Sequence, residues 1–248
     1  MGYAVANNKE EACKILLTEI KKRKDFSQEK YKLWLEGQDD QSRPLIMTAI
    51  KGFTSIMKLL LLSGAEITKK EGCLDVLHVA AIHNNSEFLE NYINYINTTS
   101  WKLNINVTDS EGNSAIHLAV KKDDIRFQEV IKVLLNFGAD INLKNNNSET
   151  PLQIAYSNEN NNLIKFLLSY NVDLYSQNQQ GETLKELLNK NCHFDDDISL
   201  NVKRLLFSAV KNNDHEKLKT FLSDEYLDVM NIVDESEAYE YTSIFDIN

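Results

Sequence analysis

The chain has 248 residues, 42% hydrophobic and 26% charged, with a formal net charge of −10. That acidic balance speaks against a nucleic-acid partner, which calls for a basic face, and no apolar run approaches the roughly 20 residues of a membrane span. Lys9, Glu10 and Glu11 interrupt any secretory apolar core, and Cys13, Cys73 and Cys192 are too widely spaced for a disulfide framework or metal cluster; an intracellular, cytoplasmic protein with buried thiols is expected.

In chain order, residues 4–17 give a helical apolar pattern, followed by the basic cluster Lys21, Lys22, Arg23 and Lys24, which reads as a solvated face. Tyr31-Lys32-Leu33-Trp34-Leu35 then predicts a further helix, so residues 1–37 are expected to form a shortened N-terminal repeat or cap with an extended helix. From there one phrase recurs. It stands as Arg43-Pro44-Leu45-Ile46-Met47-Thr48-Ala49, Leu77-His78-Val79-Ala80-Ala81, Ser114-Ala115-Ile116-His117-Leu118-Ala119 and Thr150-Pro151-Leu152-Gln153-Ile154-Ala155. The spacings from Arg43 through Asp75, Ser114 and Thr150 to Thr183 are 32, 39, 36 and 33 residues, a near-constant period. An aliphatic run follows each of three phrases: Lys58-Leu59-Leu60-Leu61, Lys132-Val133-Leu134-Leu135 and Lys165-Phe166-Leu167-Leu168. Units of two short helices are therefore predicted over residues 38–69, 70–108, 109–144 and 145–177.

The punctuation supports these units. Pro44 and Pro151 fall at the first turn of a first helix, where a missing N–H costs nothing, and Thr150 is placed to cap. Gly64 and Gly138 follow second helices, and Asp109-Ser110-Glu111-Gly112 and Asn178-Gln179-Gln180-Gly181 supply turns. The third unit carries an insertion around Tyr92, Tyr95 and Trp101, expected to pack on its own repeat, with an exposed aromatic anchor as the alternative. Beyond Thr183 the pattern falters. Residues 191–197 interrupt it, residues 205–218 resume it, and residues 242–245 open it again. Residues 191–248 are thus expected to be irregular repeats or a cap, either of a piece of a longer protein or of a degenerate array end.

The phrase and period resemble the ankyrin repeat, whose signature is Thr-Pro-Leu-His in a unit of about 33 residues. The resemblance implies an all-α solenoid of paired antiparallel helices joined by hairpin loops, and histidines (His78, His117) that hydrogen-bond backbone between units. It also implies a protein-binding concave surface of hairpin tips and first-helix positions. Carried over, that surface comprises Asp39, Asp40, Ile50 and Lys51; Ile82 and His83; Ser110, Glu111, Asn113, Lys121 and Lys122; and Asn146, Asn147, Glu149, Ser157 and Asn158. A non-enzymatic scaffold for a protein partner is expected, as a monomer that neither inserts in membranes nor binds nucleic acid; the alternative is a targeting module of a larger enzyme. Irregular, Asn-rich arrays of this style resemble those with which intracellular bacteria and large DNA viruses engage host proteins, which would place the chain in a host cell.

No catalytic residue, metal site or cofactor is expected. Cys192, His193, Asp195, Asp196 and Asp197 lack the recurring spacing of zinc ligands, and no glycine falls in a phosphate-loop pattern. One modification is expected: Leu134 to Asn142 resembles the ankyrin stretch modified by the asparaginyl hydroxylase of animal cells, with Asn142 as acceptor. Thr68 and Tyr175, taken as its counterparts, leave the fourth unit alone in offering an asparagine. The competing role for Asn142 is a side-chain bond that stabilises the turn.

Overall fold

Short apolar stripes that cannot bury themselves alone are stacked here as pairs of helices. The computed structural model describes residues 1–23, 27–37, 43–67, 74–184 and 186–187, all within a unit that spans Met1–His193. The expectations for residues 191–248, with Cys192, His193, Asp195, Asp196 and Asp197, and those for Asp39 and Asp40, lie outside the described residues. Helices α1 (Gly2–Ala6) and α2 (Glu10–Lys22) form the first pair, and α3 (Gln28–Glu36) follows alone. Then come α4 (Pro44–Lys51) with α5 (Thr54–Leu62), α6 (Val76–Ile82) with α7 (Ser86–Asn97), α8 (Ala115–Lys121) with α9 (Gln128–Asn136), and α10 (Pro151–Ser157) with α11 (Asn161–Leu167). The architecture is all-α: among the described residues no strand forms, and a single bridge joins Gln177 to Thr183.

The first helices α1, α4, α6, α8 and α10 pack side by side in one layer, and α2, α5, α7 and α9 pack in a second layer behind them. One register position explains the close approach within the first layer. It is filled by Ala4, Thr48, Ala80, Ala119 and Ala155, all buried, and small side chains let neighbouring axes close to the short end of the usual spacing. Leucine, isoleucine and valine fill the space between layers; Leu60, Leu89, Ile131, Leu134, Leu163 and Ile164 are fully buried. Pro44 and Pro151 sit in the first turns of α4 and α10, as their fixed φ favours.

A left-handed residue joins the two helices of every pair: Asn8 (φ 52°), Gly52 (74°), Asn84 (56°), Asp123 (54°) and Glu159 (55°). Asparagine and aspartate tolerate this region better than other non-glycine residues, whereas Glu159 has no such local compensation.

Two features depart from the sequence reading. Tyr92 and Tyr95 belong to α7, whose 12 residues absorb part of the insertion; only Trp101 lies in the connecting segment. Tyr92 is fully buried, stacked on Phe88 with ring centroids 6.2 Å apart, so packing rather than anchoring is its role, while Trp101 remains 38% exposed. The lone helix α3 also has a definite task. Its last residue, Glu36, accepts from Arg43 Nη2 (2.7 Å) and Nε (3.1 Å) and, through Oε1, from the backbone N–H of Glu66 (2.8 Å). Arg43 in turn donates to the Glu66 carbonyl at 3.2 Å. α3 is thereby fastened to the second unit through a part-buried ion pair.

Replacing Glu159 by glycine, which already serves at Gly52, should stabilise the protein. Relief of the left-handed penalty, about 1–2 kcal/mol, outweighs the extra chain entropy of glycine, about 0.5–1 kcal/mol. Denaturant melts should show a higher midpoint at unchanged slope; a lower midpoint would refute the strain assigned to Glu159.

Candidate protein-interaction face

The face opposite the second-helix layer is built by hairpin turns and first helices, and its geometry follows from backbone groups that need partners. Three turns repeat one design. In each, an Asp or Asn side-chain oxygen accepts from the N–H groups two and four residues on: Asp109 from Glu111 (2.9 Å) and Asn113 (2.8 Å), Asn145 from Asn147 (2.9 Å) and Glu149 (3.0 Å), Asn178 from Gln180 (3.0 Å) and Glu182 (2.9 Å). A left-handed residue sits fourth in each turn: Gly112 (φ 77°), Ser148 (59°) and Gly181 (78°). The sequence reading placed Asn146, Asn147 and Glu149 at this tip from the repeat alone, without a turn signal of its own, because serine stands where its sisters have glycine.

Neighbouring turns are bonded to each other. Asn146 donates from its backbone to the Glu111 carbonyl (2.9 Å) and from its side chain to the Ser110 carbonyl (3.0 Å). A Cβ on Gly112 would lie 2.4 Å from Asn146 Oδ1 and 2.6 Å from its backbone nitrogen, so the approach requires glycine there. Asn113 sits beneath, fully buried, where its side chain donates to Glu111 (3.0 Å) and its oxygen accepts from Asn145 (3.1 Å). This corrects the expectation that Asn113 meets a partner: its amide is spent inside the turn stack.

The recurring phrase supplies the second set of links. In the third and fourth units the backbone N–H at the helix cap donates to the histidine Nδ1, Asp75 to His78 at 3.0 Å and Ser114 to His117 at 3.1 Å. Nδ1 is therefore the acceptor and Nε2 carries the hydrogen. His78 Nε2 donates to the Val107 carbonyl (3.0 Å), two residues before the next hairpin turn, and His117 Nε2 to the Glu149 carbonyl (3.1 Å) in the hairpin turn of the following unit. Gln153 reproduces both bonds with an amide, accepting from Thr150 N–H (2.8 Å) and donating to the Ser176 carbonyl (2.7 Å). The histidines thus serve structure, as the resemblance implies.

The other expected face residues fall on two rows of the first-helix layer and on the turn tips. One row is Ile50, Ile82, Lys121 and Ser157; the next is Lys51, His83, Lys122 and Asn158. Ile50 and Ile82 are half-buried and the other six exposed. Ser110, Glu111, Asn146 and Asn147 are exposed at the tips and Glu149 is half-buried. Lys121 reaches Glu111 at 3.3 Å across the face. His83 is held below the ordinary imidazole pKa by burial, then by the charges of Lys122 and Lys51. A polar depression of about 330 Å³ opens among Asn147, Glu149, Gln153, Ser157, Asn178, Gln179, Gln180 and Leu187; the sequence reading missed its far wall, which belongs to the turn after the fifth unit.

A family model of ankyrin repeats matches residues 77–178 in three copies. This segment is an ankyrin-repeat array. Curated relatives agree: a homologue of transient receptor potential cation channel subfamily A member 1 from Caenorhabditis elegans is 35% identical over 47% of this chain and 9% of its own length. An ankyrin repeat protein of fowlpox virus is 29% identical over 58% of this chain and 41% of its own length, and human ankyrin repeat and SOCS box protein 16 is 26% identical over 70% and 37%. The chain thus spans less than half the length of each. Ankyrin repeats are a protein-interaction module, and among the described residues no helix is long and apolar enough to cross a membrane.

Asn142 lies on the ankyrin turn opposite the tips, and both ends of its side chain are engaged. Its Nδ2 donates to the Asn171 carbonyl (3.1 Å) and its Oδ1 accepts from the Asp173 N–H (2.8 Å). Asn106 does the same in the preceding unit, accepting from the Asp140 N–H at 2.8 Å. The fourth unit is therefore not alone in presenting asparagine there; the insertion before Asn106 hid the correspondence.

His117 makes the stack sensitive to acid. Burial is the largest influence on it and lowers its pKa, so the unfolded chain takes up the proton first. Its contribution is held above the ordinary histidine value, about 6.5, and is lost as pH falls below it. His117→Gln, copying Gln153, should melt with a shallower pH dependence between about pH 7 and 5 than the wild type. Equal slopes would show that His117 does not carry the effect.

Proposed function

We propose that the array is a non-enzymatic scaffold that holds a protein partner on the face of hairpin tips and first helices. The observation that carries this reading is a contrast between register positions within one chain. Positions that fasten unit to unit repeat their chemistry: His78, His117 and Gln153, or Ala80, Ala119 and Ala155. Positions on the open face do not: Ile50, Ile82, Lys121 and Ser157 differ in size, charge and polarity. Folding asks for the first set and leaves the second unconstrained, as a recognition surface requires. The reading extends to a monomer in the cytoplasm of a host cell, acting on host proteins; the likeness to ankyrin repeat proteins of a virus is what speaks for the host-directed part. The buried Cys13, free and with its pKa raised chiefly by burial, suits a reducing compartment.

A photo-crosslinking residue at Ile82 or Ser157 should capture the partner in the cell, and one at exposed Lys58 in the second-helix layer should not. Lys121→Glu with Lys122→Glu should weaken the captured complex several-fold and leave the melting temperature nearly unchanged, since exposed ion pairs such as Lys121–Glu111 contribute about 0–1 kcal/mol. Capture from Lys58 alone would place recognition on the other layer.

Asn142 is also proposed as an acceptor for asparaginyl hydroxylation, now with Asn106 beside it. The bonds to Asn171 and Asp173 mean that the turn must open first. Mass spectrometry after expression in animal cells should find one added oxygen, about 16 Da, on the peptide containing Asn142; an unmodified peptide with the enzyme present would retire the idea.

A further inference from the structure

Lys51, His83 and Lys122 occupy one register position in three consecutive units: Lys51 ends α4, and His83 and Lys122 cap α6 and α8. All three are exposed, and α4 packs on α6 and α6 on α8. Among the described residues neither Lys51 nor Lys122 forms an ion pair, whereas Lys14 is held by Glu10, Lys22 by Glu19, Lys32 by Glu66 and Lys132 by Glu129; Lys58 and Lys102 are likewise without one, but stand in no such row. Asp123, next to Lys122 in sequence, turns its carboxylate to the Asn160 amide at 2.7 Å, and Glu111 takes Lys121.

A cation at a helix C-terminus stabilises the helix by about 0.3–1 kcal/mol, which accounts for a lysine at any one of these ends. It does not account for two lysines outside any ion pair among the described residues flanking a histidine whose protonation both oppose, in a chain of net charge −10. We infer that this row receives an acidic, extended segment of a partner protein, one carboxylate per repeat; the inference rests on the interaction-face reading above. Geometry narrows the segment. Packed helix axes lie about 8–10 Å apart. A polyproline-II chain has three residues per turn at about 3.1 Å each, so every third side chain points the same way about 9.3 Å further on. Carboxylates at the first, fourth and seventh positions of such a segment meet Lys51, His83 and Lys122 in turn. The polyproline-II backbone needs no strand edge to pair with, and the first-helix ends offer none. At neutral pH the two lysines supply the charge and the His83 imidazole a donor.

The test uses the full chain and two labelled peptides of equal composition: three Glu-Pro-Pro triplets in series, and three consecutive glutamates followed by six prolines. At low salt the spaced peptide should bind at least about fivefold tighter than the clustered one. Lys51→Ala and Lys122→Ala should each weaken it several-fold while lowering the melting temperature by no more than a few degrees, as loss of a helix-end cation allows, and Lys58→Ala should leave binding unchanged. Equal affinity for the two peptides, or indifference to Lys51 and Lys122, overturns the proposal. So does binding to vesicles of phosphatidylserine and phosphatidylcholine that needs the two lysines while the spaced peptide stays unbound, which would make the row a membrane contact. If crosslinks from Ile82 and Ser157 persist while the peptides are not discriminated, this inference fails and the interaction face stands; if those crosslinks are absent as well, both fail.

Discussion

A carbonyl in or just before the next hairpin turn is reached by a side chain of the preceding first helix, and the stack of the third to fifth units hangs on that bond. His117 shows what it demands. Its ring must accept from the Ser114 N–H at the helix cap and donate to the Glu149 carbonyl 32 residues on. The Ser114 N–H is buried, so losing the ring there leaves an unsatisfied backbone donor at a cost of about 1–3 kcal/mol, whereas the part-buried Glu149 carbonyl keeps its bond from the Asn145 N–H. The bond therefore couples two choices, the start of a helix and the placement of the next turn. Gln153 performs the same coupling with different atoms, which shows that the requirement is one acceptor and one donor at fixed separation rather than an imidazole. Both ring nitrogens of His78 and of His117 are thus engaged in the fold, one by the N–H of its own helix cap and the other by a carbonyl in or just before the next hairpin turn.

The remaining fasteners follow the same logic at other places. Glu36, Asn106 and Asn142 each accept from the backbone N–H of the residue that opens the next turn: Glu66, Asp140 and Asp173. In the first case a carboxylate on a free-standing helix replaces an asparagine on a turn, and Arg43 balances its charge. α3 is thus an irregular segment that satisfies a regular requirement.

How much of this was legible in the residues divides along physical lines. The pairs of helices, their prolines, the cap at Thr150 and the histidine links were readable, because each depends on a residue type at a fixed place in a repeating phrase. Ser148 was not, because backbone strain at a left-handed position is tolerated by several residues and advertised only by glycine. Asn113 was misread for a related reason. Its position in the turn matches exposed tips, yet the buried amide of Asn145 bonds to it from 32 residues away, a partnership that spacing alone does not announce. The insertion before Asn106 displaced its register and hid its likeness to Asn142. Tyr92 was assigned to an insertion and expected to pack on its own repeat, which it does; that it does so as part of a longer α7 was not legible, because the extra length has no marker other than a continued apolar pattern.

The open face is what remains once these demands are met. On the first helices, two open register rows are free of fastening duty, and they change character along the chain: apolar at half-buried Ile50 and Ile82, basic at Lys121 and Lys122, amide and hydroxyl at Asn158 and Ser157. A partner laid along this face meets a different chemistry at each step of about 8–10 Å, so its register is set by the order of side chains and not by the shape of the repeats, which is nearly the same in each. Discrimination between partners then resides in side chains whose replacement costs the fold little, because exposed polar and charged groups contribute little to stability. The fastening rows carry the opposite burden, since any partner-driven change at His117 or Asn113 would be felt first as a break in the stack.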